Sequence, residues 1–499
     1  MSKIKKISST NPTPALALAF DTIKLKKQAL VFVNTKRSAE KTAEEIAKNI
    51  KDGDEDLLKL ALEAKGSLSS PTKQCERLAY CLRKGIAFHH AGLTSKQKTL
   101  IEDNFREGKI KIISCTPTLA YGLDLPAYRV IIKDLRRFGK RGLAWIPVLD
   151  YLQQAGRAGR PKYDKTGEAI AVAQTEVDRD KIYETYIKGL PEDIHSKLAV
   201  EPALRMYVLT LIATGFVSSR EEIFSFFDKT FWAHQYEDTE KLERIIEGML
   251  DMLEDWEFVR SNEDKYVATP IGKRVSELCV DPYTAHHIIE CLQKAASKKV
   301  NEFSFLHMIC YTIEMRPLVR AKVKEIAPLQ EELVSKHDII LVDEPSMFEP
   351  EYDEYLDTFK TAMMFNEWIG ESSEESILED FSVRPGELQV KIEMANWLLY
   401  TAHELCNLLH FPTLRKEISK TRFRVRYGVK EELLPLLRLK QIGRIRARKL
   451  FANKIKDLGG VKKADLMKLS QLVGKKIAIS IKKQVGQDIE KKLDLGDYK

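Results

Sequence analysis

The hydrophobic positions of this chain change rhythm along its length. Near the start, Gln28 to Thr35 (QALVFVNT) is a short apolar run rich in β-branched and aromatic residues that stops at Asn34-Thr35. The next stretch, RSAEKTAEEIAKNI, spaces its apolar side chains as a helix does. The pattern predicts a buried strand, a polar capping turn and a helix. Lys109 to Cys115 (KIKIISC), Arg129 to Ile132 (RVII) and Glu168 to Ala173 (EAIAVA) read as three further strands. Strands alternating with helical stretches over residues 25–180 predict an α/β domain with a mainly parallel sheet, whose functional loops lie at the carboxyl ends of the strands. Beyond about residue 180 the spacing is helical almost throughout. One exception is a pair of short strands around Phe258-Val259 and Tyr266-Val267-Ala268, joined by Ser261-Asn262-Glu263-Asp264, which among helices predicts a winged helix. The expected division is an α/β domain over 1–180, a winged helix over 181–284, a helical bundle over 285–413 with an acidic insertion at 331–358, and a small helical domain over 414–499.

Composition sharpens this picture through the distribution of charge. The 499 residues carry a net charge of +8, but residues 411–499 alone carry +16, so the rest sums to −8. A basic terminal domain points to nucleic acid. Residues 331–380 carry −14, the mark of a solvated face or an inserted loop. No apolar run approaches the roughly 18–20 residues that span a bilayer, so no membrane role is expected. The apolar stretch Ala15 to Phe20 is too short for a signal-peptide core. Seven scattered cysteines without a CxxC pair argue against a zinc ribbon or a disulfide framework, and a reducing, cytoplasmic compartment is expected.

Three strings carry candidate chemistry. In Gln153-Gln154-Ala155-Gly156-Arg157-Ala158-Gly159-Arg160, two guanidiniums three positions apart are permanently ionised, and small residues between them let another surface approach: a phosphate clamp. Ser114-Cys115-Thr116-Pro117-Thr118-Leu119-Ala120-Tyr121-Gly122-Leu123-Asp124-Leu125-Pro126 follows a strand, where hydroxyls and amides suit phosphate contacts and Asp124 can accept from a ribose hydroxyl or a guanidinium. Ala87-Phe88-His89-His90-Ala91-Gly92-Leu93 holds adjacent histidines that point in different directions, with no third ligand in view for a metal.

Together these strings resemble the motifs of superfamily-two helicases: NTKRSAE is similar to motif IV, FHHAGL to motif IVa, TPTLAYGLDLPA to motif V and QQAGRAGRP to motif VI. The resemblance implies a second RecA-like domain. In it Arg157 and Arg160 are the arginine fingers, Gln153 helps sense nucleotide, and Gly122, Asp124, Gly156 and Gly159 shape and couple the nucleotide site. Asn34, Thr35, His90 and Thr116 then lie near the nucleic-acid backbone. Segments such as LRMYVLTLIATGF, ATPIGKRVSELCVDPYTA, RPGELQV…ANWLLYTAHEL and YGVKEELLPLLRLKQIGRIRARKL look like the archaeal, Ski-like DNA repair helicases related to the helicase part of polymerase theta. That family implies a winged helix, a ratchet-helix bundle and a C-terminal helix-loop-helix domain, with ATP- and Mg²⁺-dependent unwinding of single-stranded and forked DNA, 3′ to 5′, at stalled forks. By the same resemblance Arg136, Arg137, Phe138 and Trp145, with Lys140 and Arg141, form a strand-separating hairpin. Trp397 is the ratchet helix's stacking residue, and Arg444, Arg446 and Arg448 form a terminal single-strand grip. One departure stands out: where the family presents an arginine about two turns before Trp397, this chain has Val390, with Lys391 beside it.

No GxxxxGK[ST] string occurs, so the loop that cradles phosphate is missing from these 499 residues. The nearest thing to an acidic Walker B string, Asp338 to Pro345 (DIILVDEP), lies in the acidic insertion. The expectation is a split motor whose first RecA-like domain, with P-loop and DExH box, is a separate polypeptide. The competing readings are a DNA-binding or fork-recognition module without motor function, and an RNA-directed relative.

Overall fold

The computed structural model describes residues 13–487 except 69, 122–124, 140–141, 160–163, 165, 199, 237–238 and 263–264. It contains two compact units, one made of 1–194 with 374–389 and one of 195–373 with 390–499.

The first unit is an α/β domain. Strands β1 (Ala29–Phe32), β2 (Ile86–His89), β3 (Ile112–Cys115), β4 (Arg129–Ile132) and a later strand, Glu168–Ala171, form one sheet in the spatial order β2, β3, β1, β4, Glu168–Ala171, with every pairing parallel. β1 to β4 are buried on both faces, which is why they read as unbroken apolar runs rather than alternating ones. Helices Lys36–Lys48, Lys73–Leu82 and Ser95–Arg106 bury Ala43, Ile46, Leu78, Leu82, Ile101 and Phe105 in the same core. All four predicted strands are present: β1 and β4 lie within their expected spans, β3 starts three residues after Lys109, and the strand at Glu168 ends two residues early. β2 was not anticipated as a strand, because its four residues run straight into the histidine motif. Pro14–Lys24 is a helix that buries Ala15, Leu16 and Ala19 in the core.

Between β4 and Glu168–Ala171 the chain makes a two-stranded antiparallel hairpin, β5 (Arg136–Gly139) and β6 (Gly142–Trp145), then the helix Val148–Ala155. With the hairpin numbered, Glu168–Ala171 is β7.

The second unit is helical apart from one hairpin. β8 (Val259–Asn262) and β9 (Lys265–Ala268) pair antiparallel, and helices Glu201–Ala213, Arg220–Phe227 and Thr239–Asp255 complete a winged helix-turn-helix. Helices Pro282–Ala295, Glu302–Cys310, Glu351–Ile369 and Pro412–Tyr427 accompany the main length of a long helix, Pro385–Leu408, whose first residues fall in the α/β unit. Residues 429–487 have a core of their own, with Leu433, Leu436, Leu450, Val461, Leu469 and Ile481 buried.

The acidic segment is not a solvated loop. Leu333, Ile340, Leu341, Val342, Tyr352, Tyr355 and Leu356 are all buried there, while its carboxylates occupy the outer face. Its Walker B-like string forms no strand: Asp338 is fully exposed and Asp343 pairs with Lys294 at 2.7 Å. Among the described residues no helix is long and apolar enough to cross a membrane.

Candidate nucleotide and nucleic-acid interface

The carboxyl ends of the parallel strands gather the first three motifs. At the end of β1, Asn34 donates from its side-chain amide to the Arg136 carbonyl, and Thr35 caps helix Lys36–Lys48 by accepting from the Ser38 amide at 3.0 Å. Both predicted backbone-contact residues therefore hold local structure, Asn34 by anchoring the start of the β5–β6 hairpin. At the end of β3, the hydroxyls of Thr116 and Thr118 lie 2.9 Å apart.

His90, expected near the nucleic-acid backbone, has both ring nitrogens engaged by protein groups. It is fully buried, and its Nδ1 accepts from the Gly92 amide at 3.1 Å, so the ring proton sits on Nε2 and is donated to Glu40 at 3.2 Å. Burial holds its pKa below the usual histidine value despite the carboxylate. Glu40 also receives Arg77 at 2.5 Å and Arg384 at 3.1 Å. Burial alone would push the Glu40 carboxyl up; the His90 hydrogen bond and the two guanidiniums outweigh it and hold the group at about 2.

A cleft of about 330 Å³ is lined by His89, His90, Ala91, Ser95, Lys98, Thr99, Glu102 and Thr118. His89 meets Glu102 at 3.0 Å through Nε2, and its buried Nδ1 has no partner among the described residues. Thr94 and Gln97 form a capping box that starts helix Ser95–Arg106 at the rim. A helix N-terminus, a lysine and hydroxyls at the edge of a parallel sheet suit an anionic backbone. Sequence reading passed over Ser95 and Lys98; the capping-box spacing directly after FHHAGL was the signal available.

The motif VI string begins on helix Val148–Ala155, with Gln153 exposed and Gln154 buried. Gly156 ends the helix, and its amide donates to the Leu152 carbonyl at 2.8 Å. Arg157 then turns its guanidinium onto the Ala120 carbonyl in the motif V loop, through Nη2 and through Nε at 3.2 Å. The backbone stitches the same two loops: the Ala127 amide donates to Arg157 and the Gly159 amide to Ala127, at 2.9 and 2.7 Å. Gly159 has φ +100°, and a Cβ on Gly167 would lie 2.4 Å from the Gly159 nitrogen, so these glycines permit a backbone approach that no larger residue allows. Arg157 is half-buried and has no carboxylate partner among the described residues. Gly122, Asp124 and Arg160 lie outside the described residues.

At the hairpin, Arg136 stacks 4.3 Å over the Trp145 ring and pairs with Asp178 at 2.6 Å, while Arg137 pairs with Asp150 at 3.0 Å. These residues brace the base of the hairpin instead of standing free. Leu143, opposite Phe138 in the strand register, is exposed; the Phe138 side chain lies outside the described residues.

In the helical unit Trp397 is half-buried and donates from Nε1 to the Leu278 carbonyl at 3.0 Å. Lys391 is also half-buried, with Nζ on the carbonyls of Met315 at 3.3 Å and Pro317 at 2.6 Å; burial lowers its pKa. Its ammonium group therefore faces into the bundle. The arginine triplet divides by helical spacing. Arg444 lies 4.8 Å over Trp368 and donates to the Ser372 carbonyl, and Arg448 grips Glu371 with two nitrogens and Glu432 with a third. Arg446, between them, is exposed and among the described residues donates only to the Gln441 carbonyl. Among the described residues no group of three or more His, Cys, Asp or Glu is placed to hold a metal ion.

Three family models match the chain: the helicase conserved C-terminal domain over residues 14–162, a helix-turn-helix domain over 167–260, and archaeal helicase domain 4 over 303–428. The first covers all four motif strings. Among curated relatives, the ATP-dependent DNA helicase Hel308 of Pyrococcus horikoshii is 39% identical over 482 residues, covering 95% of this chain and 66% of the relative. That of Methanocella arvoryzae is 37% identical over 502 residues, with 97% and 66% covered. That of Methanococcus vannielii is 34% identical over 538 residues, with 97% and 69% covered. The chain spans about two thirds of the length of these relatives. Motif chemistry, parallel sheet, winged helix and helical bundle agree with those matches, and the chain belongs to the archaeal Hel308 helicase family.

Proposed function

We propose that this chain supplies the arginine fingers and the single-strand grip of an ATP-dependent DNA helicase that moves 3′ to 5′ and acts in repair at stalled forks. Its ATP site is completed by a P-loop and DExH-box RecA-like domain that these 499 residues do not contain. The observation that carries the reading is Arg157: a half-buried guanidinium steadied by the Ala120 carbonyl of the motif V loop and, among the described residues, without a carboxylate partner. Such a group fits an anionic phosphate, and with Arg160 it neutralises charge on the transferring γ-phosphoryl group. Mg²⁺, held with the nucleotide by the completing domain, supplies the remaining charge neutralisation. Within this chain the proposed division of labour is an α/β motor domain, a winged helix, a ratchet bundle and a basic terminal domain. The relatives' name and the +16 terminal segment favour DNA as the track.

The test is complementation. A purified RecA-like polypeptide with a P-loop and DExH box, mixed with this chain, gives DNA-stimulated ATP hydrolysis that neither shows alone. A mixture that remains inactive while both components are folded and bind their own ligands contradicts the proposal.

A further inference from the structure

Val390 is 60% exposed on the long helix, and Lys391 beside it is spent on two backbone carbonyls, so no cation of this helix serves the first turns before Trp397. A cation reaches the helix from its neighbour. Arg422, on helix Pro412–Tyr427, donates from Nε to the Asn396 side-chain oxygen at 3.0 Å, and its guanidinium carbon lies 4.6 Å over the Tyr400 ring. Asn396 and Tyr400 are one turn apart on the long helix, and Tyr400 is one turn beyond Trp397.

No carboxylate pairs directly with Arg422 among the described residues. Glu404, the nearby carboxylate, is taken by Arg274 at 2.8 Å and His403 at 3.3 Å, and Arg274 also reaches the Tyr400 hydroxyl. Arg205, Arg274, Arg424 and Arg448 of the same unit each reach a carboxylate. Arg422 reaches none among the described residues, although it is half-buried, and its two terminal nitrogens have no protein partner there. Burial and the neighbouring Arg426 charge lower its pKa by more than Tyr400 and Glu404 raise it. A desolvated guanidinium without a counter-charge is costly, and a phosphate oxygen is the partner its planar fork fits best. Arg415, two turns earlier on the same face of helix Pro412–Tyr427, is held in the same manner by His403 at 3.2 Å and Asn407 at 2.9 Å, again with no carboxylate.

We propose that Arg422 binds a backbone phosphate of the single strand tracked by the long helix, with Asn396 and Tyr400 fixing the guanidinium, so that the cation missing at position 390 is supplied from the adjacent helix. This rests on the DNA-gripping reading above and adds to it the residue that makes the contact.

The experiment is fluorescence anisotropy of a labelled oligo(dT) of about twenty nucleotides titrated with the full chain over a series of salt concentrations. Arg422→Ala should bind roughly tenfold more weakly, as expected for loss of a charge-assisted bond. It should also flatten the plot of log affinity against log salt by roughly 0.7, the counterion release of one single-strand phosphate. Arg422→Lys should keep the wild-type slope. Melting curves accompany both variants. An Arg422→Ala protein that keeps the wild-type slope, whether or not its melting temperature falls, overturns the proposal, because a packing role does not change the number of ions released. Absence of oligo(dT) binding by the wild-type chain overturns the DNA-gripping reading itself, and this inference with it.

Discussion

Arg444, Arg446 and Arg448 show how far a residue's role depends on the partner that satisfies it. Positions four apart share a helix face, so Arg444 and Arg448 both turn toward the 368–373 segment, whereas Arg446 points outward. The Glu371 and Glu432 carboxylates hold the Arg448 guanidinium well above its usual pKa. Arg446→Ala is therefore expected to lower the salt dependence of oligonucleotide binding by roughly one phosphate's worth. Arg448→Ala should chiefly lower the melting temperature, since it strands Glu371 half-buried; the two measurements together separate the roles. The same logic applies to His90 and His89. The string FHHAGL identified the motif, but adjacent residues diverge by about 100° on a helix or point to opposite faces of a strand, and nothing in the string says which face is covered. What the sequence made legible at this scale was the set of residues. Direction depended on partners such as Glu40 and Arg384, which lie 50 and 294 positions from His90 along the chain.

At the scale of elements, β1, β3 and β4 were legible because both faces of each strand are covered, leaving apolar runs with clear ends. The acidic stretch reads as a solvated face or an inserted loop, and it is the face that is present. Helix Glu351–Ile369 alternates carboxylates with Tyr352, Tyr355, Leu356 and Phe359, so its charge count conceals an inward face. Two predictions belong here. A Cβ on Gly386 would lie 2.2 Å from the Leu93 carbonyl oxygen and 2.7 Å from that of Ala91, while its amide donates to the Gly92 carbonyl at 3.1 Å. Gly386→Ala should therefore pry the start of the long helix off the FHHAGL loop and lower the melting temperature by several degrees, at a cost of roughly 1–3 kcal/mol for overpacking. The second concerns helix Glu302–Cys310, where His307 is fully buried with neither ring nitrogen bonded, and burial pushes its pKa down to about 3. A histidine kept neutral in the folded state contributes stability that is full above the ordinary value of 6.5 and is lost as pH falls from there toward 3. Each pH unit in that window costs about 1.4 kcal/mol for such a group. His307→Phe should flatten the fall of unfolding free energy between pH 6.5 and pH 4.5 relative to wild type; parallel curves would show that the ring does not titrate in this way.

Across the whole molecule, charge and chemistry are separated along the chain. The motif VI arginine string sits in the part that sums to −8, and the basic surplus of +16 is confined to residues 411–499. Binding of nucleic acid by this chain is accordingly expected to weaken steeply with salt, while the ATP-linked chemistry depends on a few positioned groups and not on net charge. The central claim is that Arg157 is one of those groups. It is tested most directly by single-turnover ATP hydrolysis in the complemented enzyme, comparing wild type with Arg157→Ala at saturating DNA and ATP, with nucleotide affinity measured alongside. The account predicts a loss of roughly a thousandfold or more in the hydrolysis rate, the worth of an arginine finger, with the chain still folded and still bound to DNA. A hydrolysis rate unchanged by Arg157→Ala would contradict it.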